Sequence, residues 1–441
     1  MQEFDTSSDE ANIRYNRRFY GKKRGQSKYF VVKKSHLYVL LFIAALIVVI
    51  LLKNSLTKKN VVNKKKEIVR VNAPKKYSKN CNIVVYCHDV LNTAIKGRWE
   101  KTSYNQVFPW KQESVGEIRR KLNLPVNMTR TDGRCGIHFP IPNTRLAAHC
   151  DAAQDAELPC CAEASGWCGS TNDHCQHEKS FDMRKYLPPQ RVQWKPMNEQ
   201  CKIRTFEMMD ACSILADKAK KIVFLGDSQA RHFFTAFVLF LTHNYNNGAI
   251  NAKHHHDDEI MQNCTQEYQL LNNDCRHYLV TSSKQVNGLC NGQKFKFQLE
   301  YFADYQSFVM KKTARKYESM YLSEDSYIVI GAATHFNSDK NSYMNYFLKY
   351  IIEEQKKTSY VWPKYIVETL HDVYSPASTK KRQELNEAIR TYGEERDTAV
   401  LDNSRLSRNL ESFDGRTYGL KYNLLKVQIL LNYFHNQREC T

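Results

Sequence analysis

The stretch Lys220–Phe234, KKIVFLGDSQARHFF, decides the fold of the larger part of this 441-residue chain. A short β-branched and aliphatic run, Ile222–Leu225, ends in Gly-Asp-Ser, and an almost wholly apolar segment, Arg231–His243, follows it. This pattern predicts a buried strand that leads into a crossover helix packed against a sheet. Ser228, at the turn between them, then has two interpretations: a nucleophile at the end of a strand, or an ordinary helix N-cap.

Strands and helices alternate along the rest of the chain after residue 190. Apolar or alternating runs predict strands at Phe295–Phe302, Tyr327–Gly331 and Lys364–Leu370, and helical spacing predicts helices at Gln383–Tyr392 and Leu424–Phe434. Strands interleaved with helices indicate an α/β fold, a parallel sheet flanked by helices. Ligands and catalytic groups collect at the carboxyl edge of such sheets.

Two histidine-bearing segments are expected at that same edge. Thr334–His335 and His371–Asp372 each follow a predicted strand closely, as Ser228 does. The order of these residues is compatible with one shared site, although any α/β domain places polar residues after its strands.

A 16-residue run without charge, residues 37–52, predicts a single transmembrane signal anchor. A cleaved signal peptide is the alternative, but residues 1–36 are too long for its charged start, and no small-residue cleavage site follows. Residues 1–36 are therefore expected to form a cytosolic tail and residues 53–80 a stem. All 14 cysteines lie after the run. This distribution predicts a type II protein of the secretory pathway membrane, most simply of the Golgi, with a luminal C-terminus rich in disulfides.

Charge and sequons agree with that topology. Most of the formal net charge of +19 belongs to the two flanks of the anchor, so the basic composition is poor evidence for a nucleic-acid partner. The sequons at Asn127 and Asn263 lie on the predicted luminal side and predict N-glycosylation.

The region after residue 190 resembles the PC-esterase branch of the SGNH hydrolases, which includes plant trichome-birefringence-like O-acetyltransferases and the luminal domain of sialic-acid O-acetyltransferase. The resemblance rests on FLGDSQAR, on IGAATHFN, on YLPPQRVQWKPMNEQCKIRTFEMMDAC upstream, and on FDGRTYGLKYNLLKVQILLNYF near the end. It implies a three-layer α/β/α fold for residues 190–441. It also implies a luminal O-acetyltransferase or O-acetylesterase that acts through an acyl-serine on glycan hydroxyls, without a bound cofactor.

The same resemblance assigns roles to individual residues. Ser228 would be the nucleophile, Asp414 the acid of a Ser-His-Asp triad, and backbone N–H groups near Ser228 and Gly331 the oxyanion donors. The family places its base in a D-x-x-H block, but here the last position is Thr417, which cannot accept a proton near neutral pH. His371 and His335, at predicted strand ends, are the possible substitutes, and His232 lies four residues past Ser228. If none serves, the domain is a catalytically inactive glycan-binding relative.

The cysteine-rich region, residues 81–189, contains a segment similar to hevein-type chitin-binding modules. The segment is CGIHFP followed by AAHCDAAQDAELPCCAEASGWCGSTNDHC. The similarity implies disulfides Cys135–Cys161, Cys150–Cys168 and Cys160–Cys175, and it implies sugar stacking on Trp167. A disulfide-stapled spacer without a ligand is the alternative.

No metal site or bound cofactor is predicted. His254–Glu259, HHHDDE, has ligand-type residues, but adjacent side chains diverge and such loops are usually solvated. The expected partner is a glycan or glycoprotein. Because a single span cannot carry acetyl-CoA chemistry across the bilayer, acyl transfer would require a separate acetyl-donor system.

Overall fold

The computed structural model describes residues 90–436 except 94, 103–112, 145, 152–156, 163, 177–179, 190–191, 199–202, 304–324, 337, 358–361, 373–375 and 415–416. The predicted tail, anchor and stem lie outside the described residues. Within the part of the chain that the structure describes, no helix has the length and apolar character needed to cross a membrane.

Short elements make up the cysteine-rich region. Two strands pair as an antiparallel ribbon that joins this region to the rest of the chain, with Trp99 opposite Trp194. A two-stranded and a three-stranded antiparallel sheet lie between them in sequence. In chain order the elements are α1 (Val90–Thr93), β1 (Gly97–Lys101), α2 (Val115–Lys121), β2 (Gly136–Pro140), β3 (Ala147–Ala148), β4 (Cys160–Ala162), β5 (Trp167–Gly169), α3 (Asn172–Cys175), β6 (Ser180–Asp182) and β7 (Val192–Pro196).

Five disulfides lie among the described residues. Three of them are Cys135–Cys161, Cys150–Cys168 and Cys160–Cys175, the pairs that the hevein-type resemblance implies. The other two, whose pairing the sequence leaves open, are Cys212–Cys290 and Cys264–Cys275. Bridges at this density suit a region with only a small buried cluster of its own.

The larger part of the chain is built on one five-stranded parallel sheet. Its strands are β8 (Lys221–Gly226), β9 (Gln298–Phe302), β10 (Ser326–Gly331), β11 (Lys364–Glu368) and β12 (Ala399–Leu401). All four neighbouring pairs are parallel, and their order across the sheet is β12-β11-β10-β8-β9. The α/β architecture with a parallel sheet is therefore confirmed. The strand β12 was not predicted from the sequence.

Helices follow or precede each of these strands. They are α4 (Met208–Lys218), α5 (Ser228–Thr242), α6 (Asp258–Asn263), α7 (Tyr268–Leu271), α8 (Lys340–Tyr343), α9 (Lys349–Lys357), α10 (Pro376–Arg396), α11 (Asn403–Leu406) and α12 (Leu420–Asn436), with a π-helical turn at Met344–Leu348 between α8 and α9. Single 3-10 turns occur at Met183–Lys185, Ala252–His254, Asp274–His277, Ser283–Gln285, Leu289–Gly292 and Ala333–Phe336.

The two faces of the sheet pack against different helices. Along β8, Ile222 and Phe224 belong to the apolar cluster that contains α4, α5 and α12. Val223 and Leu225 belong to a second cluster, which contains α9 and α10. This alternation follows from the two-residue period of a strand, and it explains why β8 is a continuous apolar run. Helices thus cover both faces, and polar groups are left to the edges.

Candidate functional site

The strand order creates a crevice at one place on the carboxyl edge. Numbered by sequence, the five strands lie in the order 2-1-3-4-5, so the chain leaves β8 in one direction and later returns to build the sheet on the other side. In open α/β sheets, ligands bind at this topological switch point, outside the carboxyl ends of the two strands that flank it. Here those strands are β8 and β10, which end at Gly226 and Gly331.

The two strand ends approach closely because both are glycines. Gly226 has φ of +150°, and a Cβ at this position would lie 2.2 Å from the carbonyl oxygen of Gly331. A Cβ at Gly331 would lie 2.4 Å from Oε2 of Glu368. Any larger residue would push the two strand ends apart, which explains why the Gly-Asp-Ser block begins with glycine.

Asp227 fixes the start of α5. Its Oδ1 accepts the N–H of Gln229 at 2.9 Å, and its Oδ2 accepts the N–H of Thr334 at 3.0 Å. Its own N–H donates to the carbonyl of Gly331 at 3.0 Å. The side chain is buried. One carboxylate therefore caps the helix and ties together the two loops that form the switch point.

Ser228 is exposed at the first position of α5. The interpretation of Ser228 as the N-cap is wrong, because Asp227 is the cap. Neither the hydroxyl nor the N–H of Ser228 forms a hydrogen bond with any described residue. A serine at the positive end of a 15-residue helix, with both groups unengaged, can receive an electron-rich oxygen of a ligand.

A buried ion pair lies beneath this edge. Nζ of Lys426, on α12, lies 2.5 Å from Oε1 of Glu368 at the end of β11, and both side chains are fully buried. Nδ2 of Asn403 donates to the same oxygen at 2.9 Å. Burial lowers the pKa of Lys426 although Glu368 and Asp227 oppose the shift. Because both side chains are closed to solvent, a ligand cannot reach the pair, and its role is to hold the site in place.

His371 lies on a segment that contacts the start of α5. Nε2 of Gln229 donates to the carbonyl of Thr369 at 2.8 Å, two residues before His371. The His371 ring is buried and packs edge-on against Tyr418 and Tyr422, with centroids 5.0 and 5.2 Å away. The hydrogen bond thus joins the residue after Ser228 to the backbone two residues before His371.

The other two histidines near this edge are His335 and His232. The backbone of His335 lies in the 3-10 turn Ala333–Phe336 that follows β10, but its side chain is outside the described residues. His232 is buried on α5, where desolvation lowers its pKa well below the ordinary value. Its Nε2 lies 3.2 Å from Nη2 of Arg231.

Asp414 is engaged by the residue that replaces the family histidine. Its two oxygens accept the N–H and the hydroxyl of Thr417, at 2.6 and 2.9 Å. Asp414 forms no hydrogen bond with Ser228, which has no partner among the described residues. The neighbouring Tyr418 donates its hydroxyl proton to the carbonyl of Asp372 at 2.9 Å, and this bond ties the loop to the segment of His371.

In the hevein-like segment, Trp167 is exposed, but the side chain of Arg134 covers part of its ring. The Arg134 guanidinium carbon lies 3.6 Å from the centroid of the Trp167 ring and 4.7 Å from that of Phe139. Nη1 of Arg134 also donates to the carbonyl of Ser165 at 3.2 Å. A cation thus covers one face of the aromatic ring that was expected to stack on a sugar.

The remaining predicted positions have ordinary structural surroundings. Asn127 and Asn263 of the two sequons are both exposed. In the segment His254–Glu259, the ring of His254 packs on Tyr278 and Asp257 caps α6. Among the described residues, the one group of ligand-type atoms close enough for a metal is Cys135, Cys150 and Cys161, whose sulfurs are in disulfides.

Sequence reasoning missed the groups that hold the edge together. Asp227, Gln229, Glu368 and Lys426 were not predicted as site residues. A signal existed for two of them. Glu368 directly follows three buried residues, Tyr365–Val367. Lys426 lies on the apolar stripe of α12, where a cation without a buried partner would be costly.

Comparison with known proteins adds no relative. This chain matches no family model, no curated protein and no solved structure.

Proposed function

We propose that the protein is a carbohydrate-directed O-acyl enzyme of the SGNH type, anchored in the secretory pathway membrane with its C-terminal part in the lumen. The observation that carries this proposal is the position of Ser228. It is exposed, it is not the helix cap, and both its hydroxyl and its N–H are unengaged at the topological switch point. The disulfides support an oxidising compartment.

In this proposal His371 is the base. The Gln229–Thr369 hydrogen bond supports it, because it joins the residue next to Ser228 with a residue two positions before His371. Tyr418 and Tyr422 hold the imidazole by ring contacts, so the ring has a fixed direction. A serine needs such a neighbour because its hydroxyl is not nucleophilic at neutral pH.

The reaction then has two balanced steps. The Ser228 oxygen forms a bond to the carbonyl carbon of an O-acyl group while its proton moves to His371, and the bond to the leaving sugar oxygen breaks as that oxygen takes the proton. Water or a sugar hydroxyl next attacks the acyl carbon and gives its proton to His371. The bond between that carbon and the Ser228 oxygen breaks, and the serine oxygen takes the proton back from His371. The N–H of Ser228, at the start of α5, supports the negative oxygen in both steps.

An esterase assay with paired variants tests the proposal. Purified full-length protein is given an aryl acetate and an acetylated oligosaccharide, and release of acetate is followed. We expect turnover that Ser228→Ala and His371→Gln each reduce by at least a hundredfold. Ser213→Ala, an exposed serine on α4, and His277→Gln, an exposed histidine, are the controls and should retain full turnover. Turnover indifferent to Ser228→Ala would disprove the acyl-serine.

One observation favours a second function. Because Thr417 occupies both oxygens of Asp414, the protein would in that case be an inactive glycan-binding relative. Thr417→His separates the two functions. If turnover appears only in this variant, the natural protein is the inactive relative and does not act on the O-acyl groups of glycans. Binding of an oligosaccharide array that survives Ser228→Ala would support the same conclusion, and absence of any glycan binding would contradict it.

A further inference from the structure

A polar cavity of about 230 Å³ lies beside the segment of His371. It is several times larger than the roughly 30 Å³ that one water molecule occupies in the liquid. His371 and Asp372, which follow β11, form one wall, Ser404 at the start of α11 forms another, and α10 closes the third side. Arg382, Asn386 and Arg390 line it from one face of α10, since they are spaced four residues apart.

Most of the polar groups in the wall already have partners within the protein. Nε and Nη2 of Arg390 donate to Glu387 at 3.0 and 2.7 Å, and Nη1 donates to Asp402 at 3.0 Å. The Asn386 amide bonds to both the N–H and the carbonyl of Leu370. These groups therefore fix the shape of the cavity, and their hydrogen bonds are already made within the protein.

Arg408 is different. It lines the cavity and is exposed, and its guanidinium makes no ion pair and no hydrogen bond with any residue that the structure describes. Arg382 also lines the cavity, and its Nη1 donates to the carbonyl of His371 at 3.3 Å. A fork of N–H groups of this kind matches the two oxygens of a carboxylate.

The charges of the wall indicate the valence of the ligand. Glu387 and Asp402 together offset Arg390 and Arg405, because Asp402 pairs with both arginines. Arg382 and Arg408 then stand against one acid of the wall, Asp372. The excess is a single positive charge. A singly charged anion would neutralise it, whereas a doubly charged one would leave an unpaired negative charge in a partly enclosed space, which is costly.

We propose that this cavity binds one carboxylate group, with Arg408 as its main partner. The carboxylate belongs either to a free short-chain acid or to an acidic sugar. Both fit the volume and the charge, and the two sources are separated by experiment. His371, the proposed base, lines this cavity and Ser228 does not. A bound carboxylate would therefore lie beside the base, but its binding does not require an acyl-serine.

Ligand-observed NMR on the full-length protein tests the site with three probes: acetate, glucuronate and the neutral sugar glucose. We expect at least one of the two acids to bind and glucose not to bind. Arg408→Gln should weaken the binding about tenfold or more, since hydrogen bonds to a charged partner are among the strongest. Arg408→Lys keeps the charge without the fork and should lose less. Lys380→Gln, an exposed cation on α10 outside the cavity wall, is the charge-matched control.

The preferred probe identifies the source. Acetate alone indicates a free acid, and tighter binding of glucuronate indicates an acidic sugar. Equal binding to the natural protein and to Arg408→Gln would overturn the proposal, as would the absence of binding by both acids. Inorganic sulfate that displaces the acids more effectively than they displace each other would overturn the assignment of a single carboxylate. Binding retained by Ser228→Ala keeps this result separate from the outcome of the esterase assay.

Discussion

Lys426→Met tests the buried ion pair that supports the switch point. Both partners of the pair are fully buried and 2.5 Å apart. The ammonium also lies 4.2 Å from the centroid of the Phe233 ring, which a methionine side chain can still contact. The substitution thus removes the charge and leaves most of the packing volume.

The expected cost is large because of what the substitution leaves behind. Without Lys426, the carboxylate of Glu368 stays buried with Asn403 as its remaining described donor. Oε2 of Glu368 makes no hydrogen bond with described residues even in the natural protein. Breaking a buried pair by removing one partner typically costs about 3–5 kcal/mol. We expect the free energy of unfolding of Lys426→Met to fall by that amount.

A double-mutant cycle isolates the interaction. Urea denaturation of the full-length protein, followed by tryptophan fluorescence, gives the free energy of unfolding of Lys426→Met, Glu368→Gln and the double variant. Because the double variant has no buried charge left at this place, it should be at least about 2 kcal/mol more stable than the sum of the single effects implies. Lys340→Met, an exposed lysine on α8, should change the stability by no more than about 0.5 kcal/mol.

Two results would refute this reasoning. If Lys426→Met costs less than about 1 kcal/mol, the carboxylate is not held in a charged and solvent-free state. If the two substitutions are additive within about 0.5 kcal/mol, the two side chains do not interact energetically.

Three further predictions concern the edge, a disulfide and a buried acid. Gly226→Ala should destabilise the fold by well over 1 kcal/mol in urea denaturation, because its Cβ would overlap the adjacent strand. The control Gly288→Ala, at a residue with φ of +75° and open space around it, should cost only about 1 kcal/mol, and equal costs would contradict this explanation. Replacing Cys212 and Cys290 by alanine opens a link between residues 78 positions apart and should cost about 2–5 kcal/mol; an unchanged urea midpoint would contradict it. Burial raises the pKa of Glu267 from 4.5 to about 7, so in this pH range the folded state holds a proton that the unfolded chain releases. The free energy of unfolding should therefore fall by about 2–3 kcal/mol as the pH rises from 4.5 to 7, and Glu267→Gln should flatten this dependence.

Local patterns were sufficient for most of the strands. The apolar runs Ile222–Leu225 and Tyr327–Gly331 correspond to β8 and β10, because strands buried on both faces need uninterrupted apolar sequence. Several boundaries were inexact. The helix predicted at Gln383–Tyr392 begins at Pro376, since its first turns are polar. Strand β12 was missed because it has three residues, too few to show a period.

The cap of α5 shows where local reasoning was insufficient. Aspartate and serine are both good N-cap residues, and Asp227 and Ser228 are adjacent, so composition could not decide between them. The decision came from Thr334, more than a hundred residues away, whose N–H binds the second oxygen of Asp227 and so fixes that side chain as the cap.

The sequence by itself determined the alternation of strands and helices, the density of cysteines and the presence of a serine after the first strand of the sheet. These properties depend on the periodicity and chemistry of neighbouring residues. The tertiary structure alone decided the strand order that places Ser228 at a switch point, the burial of Lys426 against Glu368, and the meeting of Arg382 with Arg408 around one cavity. The reason is that the partner of a buried or cavity-lining group is chosen by packing between distant segments, which no local pattern records.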